Sequence, residues 1–341
     1  MDRRMNEKIT SLDVARRAGV SQSAVSRVFS GASASKSTVA KVRKAAEELR
    51  YRPNPLARAM ITGKSRIIGL VVAYLDNQFY PLALERLSAA LQAKGYHILV
   101  FLASNTEQDI GKAMQELLDY QVDGIITASV AMSNDLTERC AAEGIPVVMF
   151  NRGQDGSGIS SITSANVVGG GRVADFLLAG GHRRIAHVAG WKGSSTGRDR
   201  QRGFLDALTA AGAEATDIID GMYDRAVAAD AAAQLMSRPQ PPDAIFVGND
   251  HMAFAVMDQL RQSGVTIPGD VSVVGYDDVP LAAWGAYDLT TVRQPVNRMV
   301  EATVETLLAQ IEDPERPAQK IEIDGPLILR SSARIPKDWP K

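Results

Sequence analysis

Seven short apolar runs are separated by stretches of helical periodicity: RIIGLVVA from Arg66, HILVFLA from His97, DGIITA from Asp123, IPVVMF from Ile145, RIAHVAG from Arg184, DAIFVGN from Asp243 and VSVVGYD from Val271. Strand-helix alternation of this kind predicts parallel strands, because each helical connection returns the chain to the same end of the sheet, with helices covering both faces. The runs fall into two blocks. VDGIIT followed by GIPVVMF in the first is echoed by PDAIFVGND followed by VSVVGYD in the second. The echo is one of topology, with weak identity, and it predicts an α/β body of two doubly wound parallel sheets. Such lobes bind small molecules outside the carboxyl ends of their strands, in the cleft between them.

Side chains that directly follow the strands are the candidates to face that cleft. They are Phe79 and Tyr80 after the first, Asn151 and Arg152 after the fourth, Asn249 and Asp250 after IFVG, and Asp277 after VVGY. Asn249 and Asp277 are acceptors suited to hydroxyl groups, and Phe79 can cover an apolar sugar or base face. Two alternatives stay open: Phe79 and Tyr80 as packing residues, and Arg152 and Asp250 as a hinge ion pair or a helix N-terminus.

With 341 residues, 45% hydrophobic and 23% charged, the chain has room for more than one domain and is neither disordered nor fibrous in composition. Its longest nearly apolar run, IIGLVVAYL from Ile67, is half of a bilayer span, and the first twenty residues are too charged for a signal peptide. These features predict a cytoplasmic protein with no membrane partner. The single cysteine, Cys140, and four scattered histidines offer no intrachain disulfide and no metal spacing.

The formal net charge of −1 conceals a division. Residues 1–64 carry 14 Lys and Arg against 5 Asp and Glu, whereas the remainder carries 24 against 34. A basic module on an acidic body points to a polyanionic partner for the module. From Ile9 the apolar or small positions Leu12, Ala15 and Ala18, then Val25, Val28 and Phe29, predict two short amphipathic helices. Gly19 supplies the tight bend between them, Ala15 allows a close crossing, and Ser21 caps the second. Val39, Val42, Ala46 and Leu49 mark a third helix over about 36–50.

In such a helix-turn-helix the second helix enters the major groove with its first residues at base edges, which presents Gln22, Ser23 and Arg27. Ser21 and Ser26 are better placed for phosphates. Downstream, RPNPLARAM lets Asn54 cap and Pro55 open a helix over about 55–62 that also carries Arg58. So short a helix is marginal alone and should form when a partner helix and DNA hold it, with Met60 as a minor-groove wedge.

The order and spacing of LDVARRAGVSQSAVSRVFSG, RYRPNPLARAM and IIGLVV resemble the lactose-repressor (LacI/GalR) family of bacterial transcription regulators. The resemblance extends through YLDNQFYPLALERL, GGHRRIAHVAG, RQRGFLDAL, FVGNDHMAFAVM and VSVVGYDDVPLA. One departure is Met60, where the family usually inserts a leucine; methionine has similar volume. The resemblance implies a small all-α helix-turn-helix headpiece (1–52), a hinge helix (53–64) and a two-lobed periplasmic-binding-protein-like core (65–341). It places the N-lobe at about 65–163 and 293–324 and the C-lobe at about 164–292 and 325–341, with chain crossings near 163, 292 and 324. It also implies effector contacts at Thr196, Arg200 and Tyr223, and the arginine fork with the acceptors Asp277 and Asn249 suits vicinal hydroxyls or a carboxylate. Asn151, where some relatives carry an acid, leans the ligand towards a sugar or polyol.

Enzymatic readings are weaker. GSSTG from Gly193 fits a G-x-S-x-G elbow, yet Trp191 to Ser194 intervene between strand and serine, and His251 sits at a helix start. GGGRVA from Gly169 matches G-x-G-x-x-A but lacks the acidic residue after the next strand. The expected function is a DNA-binding transcription regulator, most simply a repressor, acting as a homodimer on a palindromic operator under control of a small-molecule effector. No cofactor, metal or catalytic residue is implied. The tail SSARIPKDWPK has no leucine heptad for a larger assembly. The alternative is a stand-alone sugar-binding protein, against which the basic headpiece argues.

Overall fold

The computed structural model describes residues 9–30, 32–52, 63–104, 106–130, 134–154 and 158–339. The chain divides into two compact units, Met1–Arg66 with Gln121–Asp123, and Ile67–Tyr120 with Gly124–Lys341.

In the first unit α1 (Ser11–Ala18), α2 (Gln22–Ser30) and α3 (Lys36–Glu48) form the three expected helices. Thr10 and Asp13 make a reciprocal capping box on α1, and Gly19 ends it in the left-handed conformation at φ 64°. That conformation is nearly free for glycine and strained for other residues, which is what the tight α1–α2 bend requires. Ser21 Oγ accepts from Ala24 N at 3.2 Å and caps α2. Val14, Ala15, Val25, Val42, Ala45 and Ala46 form the small core, with Phe29 and Tyr51 against it. Leu12 does not join it and remains exposed.

The second unit holds two six-stranded sheets. The first has order β11-β5-β4-β3-β1-β2 and the second β12-β10-β9-β8-β6-β7. The seven apolar runs become β1 (Ile67–Val72), β2 (His97–Leu102), β3 (Gly124–Ala128), β4 (Val147–Phe150), β6 (Ile185–Ala189), β8 (Ala244–Val247) and β9 (Ser272–Asp277). The remaining strands are β5 (Ser160–Ser164), β7 (Asp217–Asp220), β10 (Thr290–Arg293), β11 (Lys320–Ile323) and β12 (Leu327–Ile328). All pairings are parallel except β10 with β12. The two sheets repeat one strand order, β2-β1-β3-β4-β5 and β7-β6-β8-β9-β10, which is the physical content of the sequence echo. Each then receives a sixth strand from the last part of the chain.

The chain passes between the sheets after Ser164, after Arg293 and after Ile323. The helices of this unit are α4 (Phe79–Ala93), α5 (Glu107–Asp119), α6 (Asn134–Ala142), α7 (Asn166–Ala179), α8 (Ser195–Ala210), α9 (Arg225–Met236), α10 (Asp250–Gln262) and α11 (Val296–Glu312). Among the described residues, no helix is long and apolar enough to cross a membrane.

Helices α7 and α8 meet along glycines. A Cβ built on Gly170 would lie 2.1 Å from Arg200 O, and one on Gly203 would lie 1.9 Å from Val167 O. The GGGRVA run is therefore a helix-packing surface, which brings Arg200 on α8 beside Asn166 at the start of α7.

Candidate functional site

On the first unit, Ser21, Gln22, Ser23 and Arg27 are exposed along the start and one face of α2, and Ser26 is half-buried. Gln22 Nε2 donates to Ser11 Oγ at 2.9 Å, which holds the side chain at the N-terminal end of the helix. A polar, donor-rich face on a capped helix packed by its opposite side has the shape and chemistry to read base edges. Asn54, Arg58 and Met60 lie outside the described residues.

In the second unit a cavity of about 190 Å³ lies between the two sheets, beyond their strand ends. The first lobe contributes Tyr74, Asp76, Asn77, Tyr80, Asn151 and Arg152, and the second contributes Thr196, Arg200, Met222, Tyr223, Asp224, Asn249 and Asp277. Of the cleft residues expected to hold an effector, Tyr80, Asn151, Thr196, Arg200, Tyr223, Asn249 and Asp277 are in this wall. Phe79 is not among them: it is buried and stacks on Phe150 with ring centroids 6.1 Å apart. Phe79 and Tyr80 are consecutive on α4, so about 100° of helix rotation separates them, and only Tyr80 faces the cavity. Tyr74, Asp76 and Asn77 were missed, although the rule of strand ends points to the loop after β1 before it points to the helix that follows.

Backbone strain concentrates at this rim. Ser129 after β3, Asn151 after β4, Met222 and Tyr223 after β7, and Asp277 and Asp278 at the end of β9 are non-glycine residues with positive φ. Such conformations are costly and gather where a ligand site over-determines the backbone. The Tyr223 ring lies over Gly190, where a Cβ would come within 2.2 Å of it, and its hydroxyl is 3.0 Å from Thr196 Oγ1.

Arg200 is the centre of the second-lobe wall. Its Nε donates to Asn166 Oδ1 at 2.9 Å, its Nη1 donates to Gly248 O at 2.7 Å, and its Nη2 lies 3.3 Å from Asp277 Oδ1. The guanidinium also covers the Tyr276 ring at 3.7 Å from the centroid. Burial pushes the Asp277 carboxyl up to about 6, opposed by Arg200 and by Gln294 Nε2, which donates to it at 2.7 Å. Asn249 Oδ1 accepts from Met252 N and caps α10.

Behind these residues Asp250 is fully buried, accepting from Thr291 Oγ1 at 2.6 Å and Val279 N at 3.0 Å. It thus ties together the loops after β8 and β9 and strand β10. Burial, reinforced by the negative charge of Asp277, raises its pKa from 3.8 to about 8. A folded-state pKa above the unfolded value means that the folded protein holds the extra proton, so this contribution is complete below pH ~4 and lost as pH rises through about 8. Asp250→Asn is therefore expected to flatten the fall in melting temperature between about pH 5 and pH 9, and an unchanged profile would show that Asp250 is ionised throughout.

The GSSTG run serves structure and closure. Ser194 Oγ accepts from Gly197 N and caps α8, while Ser195 Oγ accepts from Gly153 N of the first lobe at 3.1 Å. His251 Nε2 lies 3.7 Å from Asp76 Oδ2, a second tie across the cleft.

Residues 10–54 match the model of the bacterial regulatory proteins of the lacI family, and residues 174–333 match a periplasmic binding protein-like domain. The ribose operon repressor of Escherichia coli is 31% identical over 330 residues, covering 95% of this chain and 99% of the relative. The HTH-type transcriptional repressor PurR of Photobacterium profundum is 31% identical over 333 residues, 95% of this chain and 98% of its own. A lac repressor dimer bound to operator and the anti-inducer ONPF superposes with a TM-score of 0.87 at 26% identity, covering 96% and 99% of the two chains. With an exposed, capped polar helix in one unit and a two-lobed polar cleft in the other, the chain belongs to the lacI family of bacterial regulatory proteins, whose members are DNA-binding transcription regulators.

Proposed function

We propose that this protein is a cytoplasmic repressor that binds a palindromic operator as a twofold dimer, under the control of a sugar-like metabolite held in the cleft. The observation that carries the reading is the cleft wall itself: donors and acceptors from both lobes converge on one small cavity, and the lobes touch through Gly153 with Ser195 and Asp76 with His251. A ligand that bridges the lobes changes their relative orientation, and a dimer transmits that change to the paired headpieces. Val100 and Leu102 support a second copy as partner, since both leave apolar side chains exposed on the edge strand β2. In this reading Gln22, Ser23 and Arg27 read bases, while Ser21, Ser26, Asn54, Arg58 and Met60 serve phosphates and the hinge. Tyr80, Asn151, Thr196, Arg200, Tyr223, Asn249 and Asp277 hold the effector.

The test is operator selection from a random duplex pool with the full-length protein. A palindrome should be enriched, and Arg27→Ala should weaken binding to it by about 1–3 kcal/mol, or roughly ten- to a hundredfold. A pool without enrichment, together with unchanged binding by Arg27→Ala, rejects the regulator reading. Any effector found must shift operator affinity by the same factor by which operator shifts effector affinity.

A further inference from the structure

Of the two buried arginines in the cleft, Arg200 uses its donors on protein acceptors and sits against a carboxylate. Arg152, directly after β4, does neither. It is only 3% exposed, yet among the described residues its Nε and Nη1 have no hydrogen-bond partner, and its Nη2 reaches the Tyr74 hydroxyl at the long distance of 3.5 Å. Its Cζ also lies 5.7 Å from the Trp191 ring across the cleft, and its charge reaches the Tyr80 hydroxyl, which like these other neighbours carries no negative charge to balance it. Among the described residues no carboxylate forms an ion pair with it. The adjacent Asn151, also buried, has no partner for Oδ1 among the described residues. Guanidinium groups stay charged, and burying one without an anion is costly enough that natural structures pair it or leave the pairing to a ligand.

The charge of the cavity interior points the same way. In the cavity wall Arg152 and Arg200 face one buried carboxylate, Asp277; the buried Asp250 lies behind the wall, bonded to Thr291 and Val279, and burial together with Asp277 holds it towards its neutral form. Asp76 and Asp224 stand at the solvent-exposed mouth; the Asp76 side chain is 73% exposed and already beside His251, so its field inside is screened. The interior is thus one positive charge in excess. A monoanion balances it, whereas a phosphate, at nearly two negative charges, overshoots.

We propose that the effector is a sugar acid, a uronate or aldonate, whose carboxylate pairs with Arg152 while its hydroxyls meet Asp277, Asn249 and Arg200. The proposal rests on the cleft being the effector site and adds the chemical class of what fills it. Charge-assisted bonds to a buried guanidinium are among the strongest a small ligand can make, so the acid should be distinguished sharply from its neutral counterpart.

The experiment is calorimetric titration and thermal shift of the full-length protein at about pH 7.5 with glucuronate, galacturonate and gluconate, each against glucose, galactose or glucitol, and with glucose 6-phosphate. An acid is expected to bind at least about tenfold more tightly than its neutral counterpart, with Arg152→Met erasing the difference. In the ligand-free protein Arg152→Met is expected to raise the melting temperature, because it replaces an unpaired buried charge with an apolar chain of similar length. Tight binding of a neutral sugar with no gain from the acid overturns the proposal and leaves the cleft reading intact. Preference for the phosphate overturns the carboxylate assignment. A panel without any binding, or a lower melting temperature for Arg152→Met, overturns the proposal by showing Arg152 to be a packing residue, and the former removes the sugar reading of the cleft as well.

Discussion

Arg200→Ala is expected to destabilise the two-lobed unit by about 3–5 kcal/mol and to abolish the response to effector. The size follows from what the truncation leaves behind. Asp277, which faces Arg200 at 3.3 Å, is buried, and Gly248 O and Asn166 Oδ1 lose the donors that satisfy them. The Tyr276 ring loses the guanidinium stacked on it. Removing one member of a buried pair is costly because the other charge remains in low dielectric. The Asp277 carboxyl, already raised by burial, then loses the positive charge that opposes the rise. The double variant Arg200→Met/Asp277→Asn should recover part of the lost stability without recovering effector binding. Urea unfolding of both variants measures this, and a single-variant loss below about 1 kcal/mol would mean that the pair is solvated and that Arg200 does not organise the wall.

Gly203→Val is expected to cost about 3 kcal/mol, at the upper end of ordinary overpacking. A side chain there meets the carbonyl oxygen and carbon of Val167 at 1.9 and 2.6 Å, both backbone atoms of a helix that cannot yield by a rotamer change. The only relief is to move α7 and α8 apart. That movement also separates Arg200 from Asn166, so effector affinity should fall along with stability. Gly171→Ala is the control in the same helix pair: its Cβ would meet Gly203 O at 3.4 Å and Ala207 Cβ at 3.8 Å, ordinary contact. Since alanine is favoured over glycine within a helix by ~1 kcal/mol, that variant should be neutral or slightly stabilising. Equal effects of the two substitutions, seen in denaturant midpoints, would show that the helices are not in close contact.

Both expectations concern residues whose importance was only half legible in the chain. The seven apolar strands of the body, the three helices of the headpiece and the Gly19 turn could be read directly, because hydrophobic period, a capping residue and a positive-φ glycine are local properties. Strand β5 could not be read in the same way. Its residues, SSITS, include four buried hydroxyl side chains, and distant groups satisfy two of them, Ser160 and Ser164. Gln310 Nε2 and Gln319 N donate to Ser160 Oγ, and Ser164 Oγ is 3.0 Å from the Tyr276 hydroxyl. Nothing near β5 in the chain announces those partners. The GGGRVA run, set aside in the sequence as a phosphate loop, owes its glycines to partners likewise distant in the chain: Gly169 lies against the Tyr276 ring, and Gly170 and Gly171 against α8 about thirty residues away.

The cleft shows the same division. Alone, the sequence predicted that side chains after the strands would converge, and so selected Phe79, Tyr80, Asn151, Arg152, Asn249, Asp250 and Asp277. The resemblance to a family added Thr196, Arg200 and Tyr223. Only the tertiary structure decided that Phe79 turns into the core while Tyr80 faces the cavity, that Asp250 is a buried carboxyl tying the wall together, and that among the described residues Arg152 lacks the carboxylate partner Arg200 has. Secondary structure follows from neighbours within a few residues, whose spacing is written in the chain. Whether a buried charge is paired depends on groups brought together from strands far apart in the chain, and that is settled only when the sheets and lobes assemble.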